Sequence, residues 1–215
     1  MQSRKPVIDN YKIITFIVFI CAALITSLFV YHNNQQQQSI VTSNGKSVFL
    51  PVGRELKPIQ LVNANGNAFT DRDFNNHWTL MFFGFTHCSS VCPVTLDMIS
   101  KAYPELHKAI PNLQVVLVSL DPERDDKATL QKYTQSFNAD FIGVSGKIED
   151  VRKLQSKLGI YSARETNDSN YQLQHTASIM LISPEGKWVG MFKYGMNSEE
   201  FSKEVTSGVT SLSHA

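Results

Sequence analysis

Residues 79–93 read Thr-Leu-Met-Phe-Phe-Gly-Phe-Thr-His-Cys-Ser-Ser-Val-Cys-Pro, and the order of residue types in this stretch decides the fold. Thr79 to Phe85 is an apolar, aromatic run of strand length. Pro93 to Ile110 follows as a helix, with Val94, Met98, Ala102 and Leu106 on one stripe. Between strand and helix lie Cys88 and Cys92, two of the three cysteines in the chain. Thiols placed this way can bind a soft metal, close a disulfide or attack a peroxide.

Working outward, Pro58 to Val62 reads as a strand. Leu113 to Leu120 is a continuous apolar strand, as a doubly covered central position demands. Asp121-Pro122-Glu123 has the form of an N-cap and an N1 proline, opening a helix to about Phe137. Phe141 to Val144 is a short strand and Ile148 to Leu158 a helix. Ser178 to Ile182 and Trp188 to Tyr194 flank the turn Ser183-Pro184-Glu185-Gly186, a hairpin signature. Asn197 to about Val209 forms a final helix. This order predicts an α/β fold: a thioredoxin-like mixed sheet with helices on both faces.

The N-terminal region differs. Ile13 to Tyr31 carries no charge and at about 1.5 Å per residue approaches the roughly 30 Å of a hydrocarbon core. Arg4, Lys5 and Lys12 precede it, and no Lys or Arg follows until Lys46. That asymmetry keeps residues 1–12 cytoplasmic and exports the rest. A cleaved signal would have a shorter apolar core and a small-x-small site, whereas Leu28-Phe29-Val30-Tyr31 closes this run. The reading is therefore an uncleaved single-pass anchor at 13–31, with Cys21 a packing residue in mid-span. A polar linker follows at 32–48, including Gln35 to Gln38, then one domain at 49–211 and a tail at 212–215. The net charge of +1 gives no electrostatic reason to expect nucleic acid.

A spacing of four places Cys88 and Cys92 on one face of a first helical turn, where backbone amides favour thiolates. With no second cysteine pair a structural zinc site is incomplete; two thiolates with one or two further ligands suit copper better. Six histidines could supply the third ligand. His87 abuts Cys88 but points to the opposite face of an extended strand. His77 and His107 read as a loop and a helix-end residue, and His32 and His214 lie at the membrane boundary and on the tail. His175 differs: it follows a polar stretch, Ser162 to Asn170, and begins a strand running to Ile182. In a thioredoxin-like sheet that point lies beside the thiol-bearing helix. Oxidoreductases of this fold carry a proline there; here it is a nitrogen ligand. We take Cys88, Cys92 and His175 as the candidate metal set.

These blocks resemble the SCO/SenC family of membrane-anchored copper proteins. The likeness is carried by Phe83-Gly84-Phe85-Thr86-His87-Cys88 with Cys92-Pro93, by Ser119-Leu120-Asp121-Pro122-Glu123-Arg124-Asp125, and by His175-Thr176 with Ser183-Pro184-Glu185-Gly186. It covers roughly residues 50–210, with the blocks in the family's order. The resemblance implies a thioredoxin-like domain holding one copper ion, Cu(I) and/or Cu(II), on Cys88, Cys92 and His175. It also implies a role in building the dinuclear copper site of cytochrome c oxidase subunit II, by delivering copper, reducing that site's cysteines, or both. An upstream copper donor and a thiol reductant would be further partners. The corresponding location is a bacterial inner membrane, with the C-terminal domain in the periplasm. Ser89 stands where many members have proline, and Gln174 where an acidic residue is common.

Other features have plainer readings. Asp121 to Asp125 is explained by a capped helix start. Phe82, Phe83 and Phe85 pack core and site wall, and the scattered methionines are packing residues. Thr86 makes a strand-end turn bond. A thiol–disulfide oxidoreductase using Cys88 and Cys92 without metal is the alternative function; three intervening residues instead of two, and the absent proline, count against a general one. A peroxidase fits least, because only one residue separates Thr86 from Cys88.

Overall fold

A computed structural model describes residues 10–35, 40–41, 45–166 and 170–213. Parts of the expected cytoplasmic segment (1–9), linker (36–39 and 42–44), polar stretch (167–169) and tail (214–215) lie outside the described residues. The chain divides into two units, Met1–Gln38 and Ser39–Ala215.

The first unit holds α1 (Asn10–Gln35). Its apolar part, Ile13–Tyr31, has a mean hydropathy of 2.8 over 19 residues and is long and apolar enough to cross a membrane. Ile14, Phe16, Phe19 and Phe29 lie on its surface. The Thr26 hydroxyl donates back to the Ala22 and Ala23 carbonyls at 3.0 and 2.9 Å, so this polar group within the apolar run is satisfied internally.

In the second unit the elements run β1 (Ile40–Val41), β2 (Ser47–Glu55), β3 (Gln60–Asn63), β4 (Ala68–Thr70), a 3-10 turn (Asp71–Phe74), β5 (Trp78–Gly84), α2 (Val91–Ala109), β6 (Leu113–Ser119), α3 (Lys127–Gln135), β7 (Ile142–Ser145), α4 (Ile148–Leu158), β8 (Ser162–Arg164), β9 (Leu173–His175), β10 (Ile179–Ile182), β11 (Lys187–Phe192) and α5 (Ser198–Ser213). A nine-stranded sheet has the order β1-β2-β11-β10-β5-β6-β7-β3-β4, and β8 and β9 form a separate ribbon. β5, β6 and β7 are parallel; the other pairs are antiparallel.

Every residue of β5 is buried, because the strand is covered on both faces. Leu80 and Phe82 meet Leu96, Ile99 and Leu106 of α2, Leu130 of α3, and Phe201 and Val205 of α5. Met81 and Phe83 meet Val151, Leu154 and Leu158 of α4 and Phe74 of the 3-10 turn. The alternation follows from the two-residue period of a strand. It confirms the mixed α/β sheet with helices on both faces.

Three expectations are corrected. The helix expected to open at Asp121 starts at Lys127, capped by Asp126, whose carboxylate accepts from the Thr129 amide at 2.7 Å. Asp121 does not cap because its side chain is buried and bonded elsewhere. The helix expected from Pro93 starts at Val91, so Cys92 lies in its first turn. His175 does not begin the sheet strand; it ends β9, and β10 starts at Ile179. Sequence reading also passes over β2, whose Gly53 bulge region and polar residues hide its period, and the ribbon, whose strands have three residues each. Ile40–Val41 pairs with β2, so part of the stretch read as linker joins the sheet edge.

Strand direction places the site. β5 ends at Gly84 and leads into the cysteine loop. β10 runs antiparallel to β5 with Ile179 opposite Phe82, so the chain entering β10 lies beside that loop. His175 is on that entering chain.

Candidate metal centre

The cysteine loop is fastened before it reaches Cys88. Thr86 donates from its amide to both Asp125 oxygens at 3.2 Å and from its hydroxyl at 2.6 Å. Ser119, at the end of β6, donates its hydroxyl to the same carboxylate at 2.6 Å. Asp125 is 2% exposed, so these bonds lie in the interior. The loop then turns, with the Cys88 amide on the Phe85 carbonyl at 3.2 Å.

Ser90 makes no side-chain cap for α2. Instead the Cys92 amide donates to Cys88 Sγ at 3.4 Å, so a sulfur takes the place of the capping oxygen. Cys92 is fully buried. Its sulfur rests against the backbone of Gly84, where an added Cβ would stand 3.0 Å from Sγ. Only glycine leaves room for the sulfur to sit this close to the strand.

His175 brings Nε2 to 3.4 Å from Cys92 Sγ. Its Nδ1 lies 3.1 Å from the Thr176 carbonyl. A carbonyl only accepts, so that contact puts the proton on Nδ1 and turns the Nε2 lone pair to the sulfurs. Phe82 and Phe85 stand edge-on to the ring, with centroids 6.0 and 6.2 Å away. Gln174 is exposed, so orientation of the imidazole comes from the following residue. Ser89 is exposed as well.

The donor atoms of Cys88, Cys92 and His175 all lie within 4.8 Å of one another. Ligands at roughly 2.0–2.3 Å from one ion stand about 3.4–4 Å apart, so small side-chain adjustments suffice. Two sulfurs and an imidazole nitrogen are a soft-to-borderline donor set, and they fit copper.

The other histidines stay apart from this group. His77 Nδ1 contacts the Asn75 carbonyl at 2.9 Å, and His107 stacks on Tyr103. His87 Nδ1 lies 3.1 Å from the Thr86 hydroxyl and 3.8 Å from Asp125. The side chains of His32 and His214 lie outside the described residues.

The thiols are unequal. The Cys92 side chain, with the Cys92 and Ser90 amides, holds the Cys88 thiol down to about 4 against the opposing effect of burial. Cys92 is pushed up by the hydrogen bond it donates to the Cys88 sulfur and by burial. In the metal-free dithiol Cys88 is therefore the thiolate and Cys92 keeps the proton. Alkylation of the reduced, metal-free chain by iodoacetamide is expected to fall only as pH drops through about 4, because thiolate alone reacts. A Cys88 profile with its midpoint near an ordinary ~8.5 would contradict the arrangement.

Sequence reasoning missed Asp121, Asp125 and Tyr171 as site supports. The signal for Asp121 and Asp125 was the acidic character of 121–125, which a helix cap explained too easily; Tyr171 had none.

The SCO1/SenC family profile matches residues 52–210. The Bradyrhizobium japonicum ScoI structure with copper bound is 34% identical, with a TM-score of 0.63, over 70% of this chain and 96% of that one. The Arabidopsis thaliana ScoI crystal structure with copper bound is 26% identical, with a TM-score of 0.68, over 72% and 97%. The mitochondrial SCO2 homolog of Danio rerio is 29% identical over 149 residues, 67% of this chain. The match spans 53% of that relative, about half its length. The chain belongs to the SCO1/SenC family.

Proposed function

We propose that this protein is a membrane-anchored copper-binding assembly factor for cytochrome c oxidase. It delivers copper to the dinuclear site of subunit II, reduces the cysteines of that site, or both. The observation that carries the reading is the convergence of Cys88, Cys92 and His175 within 4.8 Å. The copper-bound relatives at 34% and 26% identity support it. Residues 13–31 would be the anchor, 32–48 the linker and 49–211 the copper domain. The basic residues ahead of the apolar helix support an orientation with the domain exported, which in a bacterial inner membrane would be the periplasm.

Copper is cargo in this reading. The Cys88 thiolate, Cys92 after loss of its proton and His175 Nε2 would hold one ion per chain, so loading releases a proton from Cys92. Two thiolates and an imidazole accommodate Cu(I), and an added ligand accommodates Cu(II). Because His175 stands on a ribbon apart from the thiol-bearing helix, one ligand can leave while two remain. That suits handing an ion on by ligand exchange.

The test is a Cu(I) titration of the reduced full chain in detergent, followed by oxidation. Saturation at one ion per chain is expected, with a thiolate-to-Cu(II) charge-transfer band after oxidation. Absence of saturable binding would sink the copper reading.

A second reading is favoured by the inequality of the thiols. Cys88 is half-buried and ionised, whereas Cys92 is buried and protonated. Cys88 can attack a partner disulfide, forming a mixed disulfide and releasing one partner thiolate. Cys92, after giving up its proton, then displaces the second. The partner ends as a dithiol and this chain as the Cys88–Cys92 disulfide.

A further inference from the structure

His175 reaches the sulfurs on a ribbon outside the nine-stranded sheet. That ribbon has three residues a side, and an isolated two-stranded ribbon is marginal in water. Its position must come from side chains. Tyr171, four residues ahead of His175, is buried and donates its hydroxyl to Asp121 Oδ1. Asp121 Oδ2 accepts from Arg124 Nε. The Arg124 and Arg164 guanidinium carbons lie 3.5 and 4.1 Å from the Tyr171 ring centroid, so the ring is held by two cations. Gln155 of α4, itself buried, also donates to the Ser162 hydroxyl opposite His175 at 2.8 Å, whereas the ties from Arg164 to Glu123 and from Gln172 to the His87 carbonyl are exposed and contribute little.

The turn that carries Asp121 also carries Asp125, which fastens Thr86 and the cysteine loop. One short turn thus grips both halves of the ligand set. Asp125 holds the segment that leads to the thiols, and Asp121 holds the ribbon that carries the imidazole.

We propose that Tyr171 is a positioning residue for copper: its hydrogen bond to Asp121 is the latch that keeps the His175 ribbon against the cysteine pair and sets how fast the ion leaves. The proposal rests on the reading of Cys88, Cys92 and His175 as ligands. With the latch open, His175 Nε2 withdraws and the ion is left on two thiolates, open to an incoming ligand. With it closed, the third donor is held in place without any contact between Tyr171 and the metal.

Tyr171→Phe tests this with little else changed, because the ring and both cation contacts stay. Two measurements on the full chain in detergent are needed. In the metal-free protein, hydrogen exchange at the amides of Gln174 and Thr176, which face β8 across the ribbon, is expected to quicken about tenfold, while the melting temperature of the domain falls by only a few degrees. That corresponds to ~1.4 kcal/mol, within the cost of losing a hydrogen bond to a carboxylate. In the Cu(I)-loaded protein, transfer to a chromophoric Cu(I) chelator is expected to quicken by a similar factor. Glu123→Gln, which loses only the exposed pair, is expected to leave both rates alone. In a His175→Ala background, Tyr171→Phe is expected to add nothing to copper release. Wild-type exchange at those amides in Tyr171→Phe overturns the latch, whatever His175 does. Faster exchange with unchanged copper release overturns its control of the metal. If His175→Ala alone releases copper at the wild-type rate, the ligand reading fails instead, and the exchange result still reports on the latch.

Discussion

Cys92→Ala is expected to bind copper roughly a thousandfold more weakly than the native chain. Thiolate-rich sites of several ligands are worth about 10–16 kcal/mol in all, so each strong donor carries a few kcal/mol. Cys92 also does more than donate. It is the first of the groups that hold the Cys88 thiol in its ionised form, so removing it weakens the remaining sulfur as a ligand at neutral pH. The loss should therefore exceed that of His175→Ala, which leaves both sulfurs in place. Competition for Cu(I) against a chelator of known affinity reads both variants. Native affinity in Cys92→Ala would dismantle the site assignment.

The largest effect on stability is expected at Asp125. Its carboxylate, on a residue 2% exposed, accepts the Thr86 amide, the Thr86 hydroxyl and the Ser119 hydroxyl. Asp125→Ala would leave one buried donor, on Ser119, and two half-buried ones, on Thr86, without that acceptor, at about 1–3 kcal/mol each before relaxation. Water entering the gap offsets part of this, so a loss on the order of 4 kcal/mol is expected, or about 10 °C in melting temperature for a domain of this size. Asp125→Asn should cost less, because one oxygen still accepts while its amide N–H faces hydroxyls that can rotate to receive it. Thermal unfolding of the full chain in detergent, followed by near-ultraviolet circular dichroism, measures both. A shift of a degree or two in Asp125→Ala would mean that the carboxylate does not anchor the loop.

The parts legible in the sequence were those with long periods or fixed chemistry. The apolar runs at 79–85 and 113–120 and the helix at 148–158 stand within a residue or so of β5, β6 and α4. The ligand set was legible because two thiols and a displaced proline position are rare signals. What was not legible was local competition between equally good patterns. Asp121-Pro122 and Asp126-Lys127 both look like helix starts, and tertiary partners decided between them: Tyr171 and Arg124 took the Asp121 carboxylate, leaving Asp126 free to cap α3. The three-residue strands of the ribbon have no period to read, so His175 was assigned to the strand after it.

The separation of the ligands along the chain has a further meaning. Cys92 and His175 are 83 residues apart, so an ion gripped by both is a cross-link that closes about half of the domain into one ring. Closing a ring of that length reduces the freedom of the unfolded chain by an amount that, in the chain-entropy account, is worth on the order of 4 kcal/mol. Cargo and brace would then be the same atom: a loaded carrier is the sturdier form, and each delivery returns the domain to its looser, unbraced state.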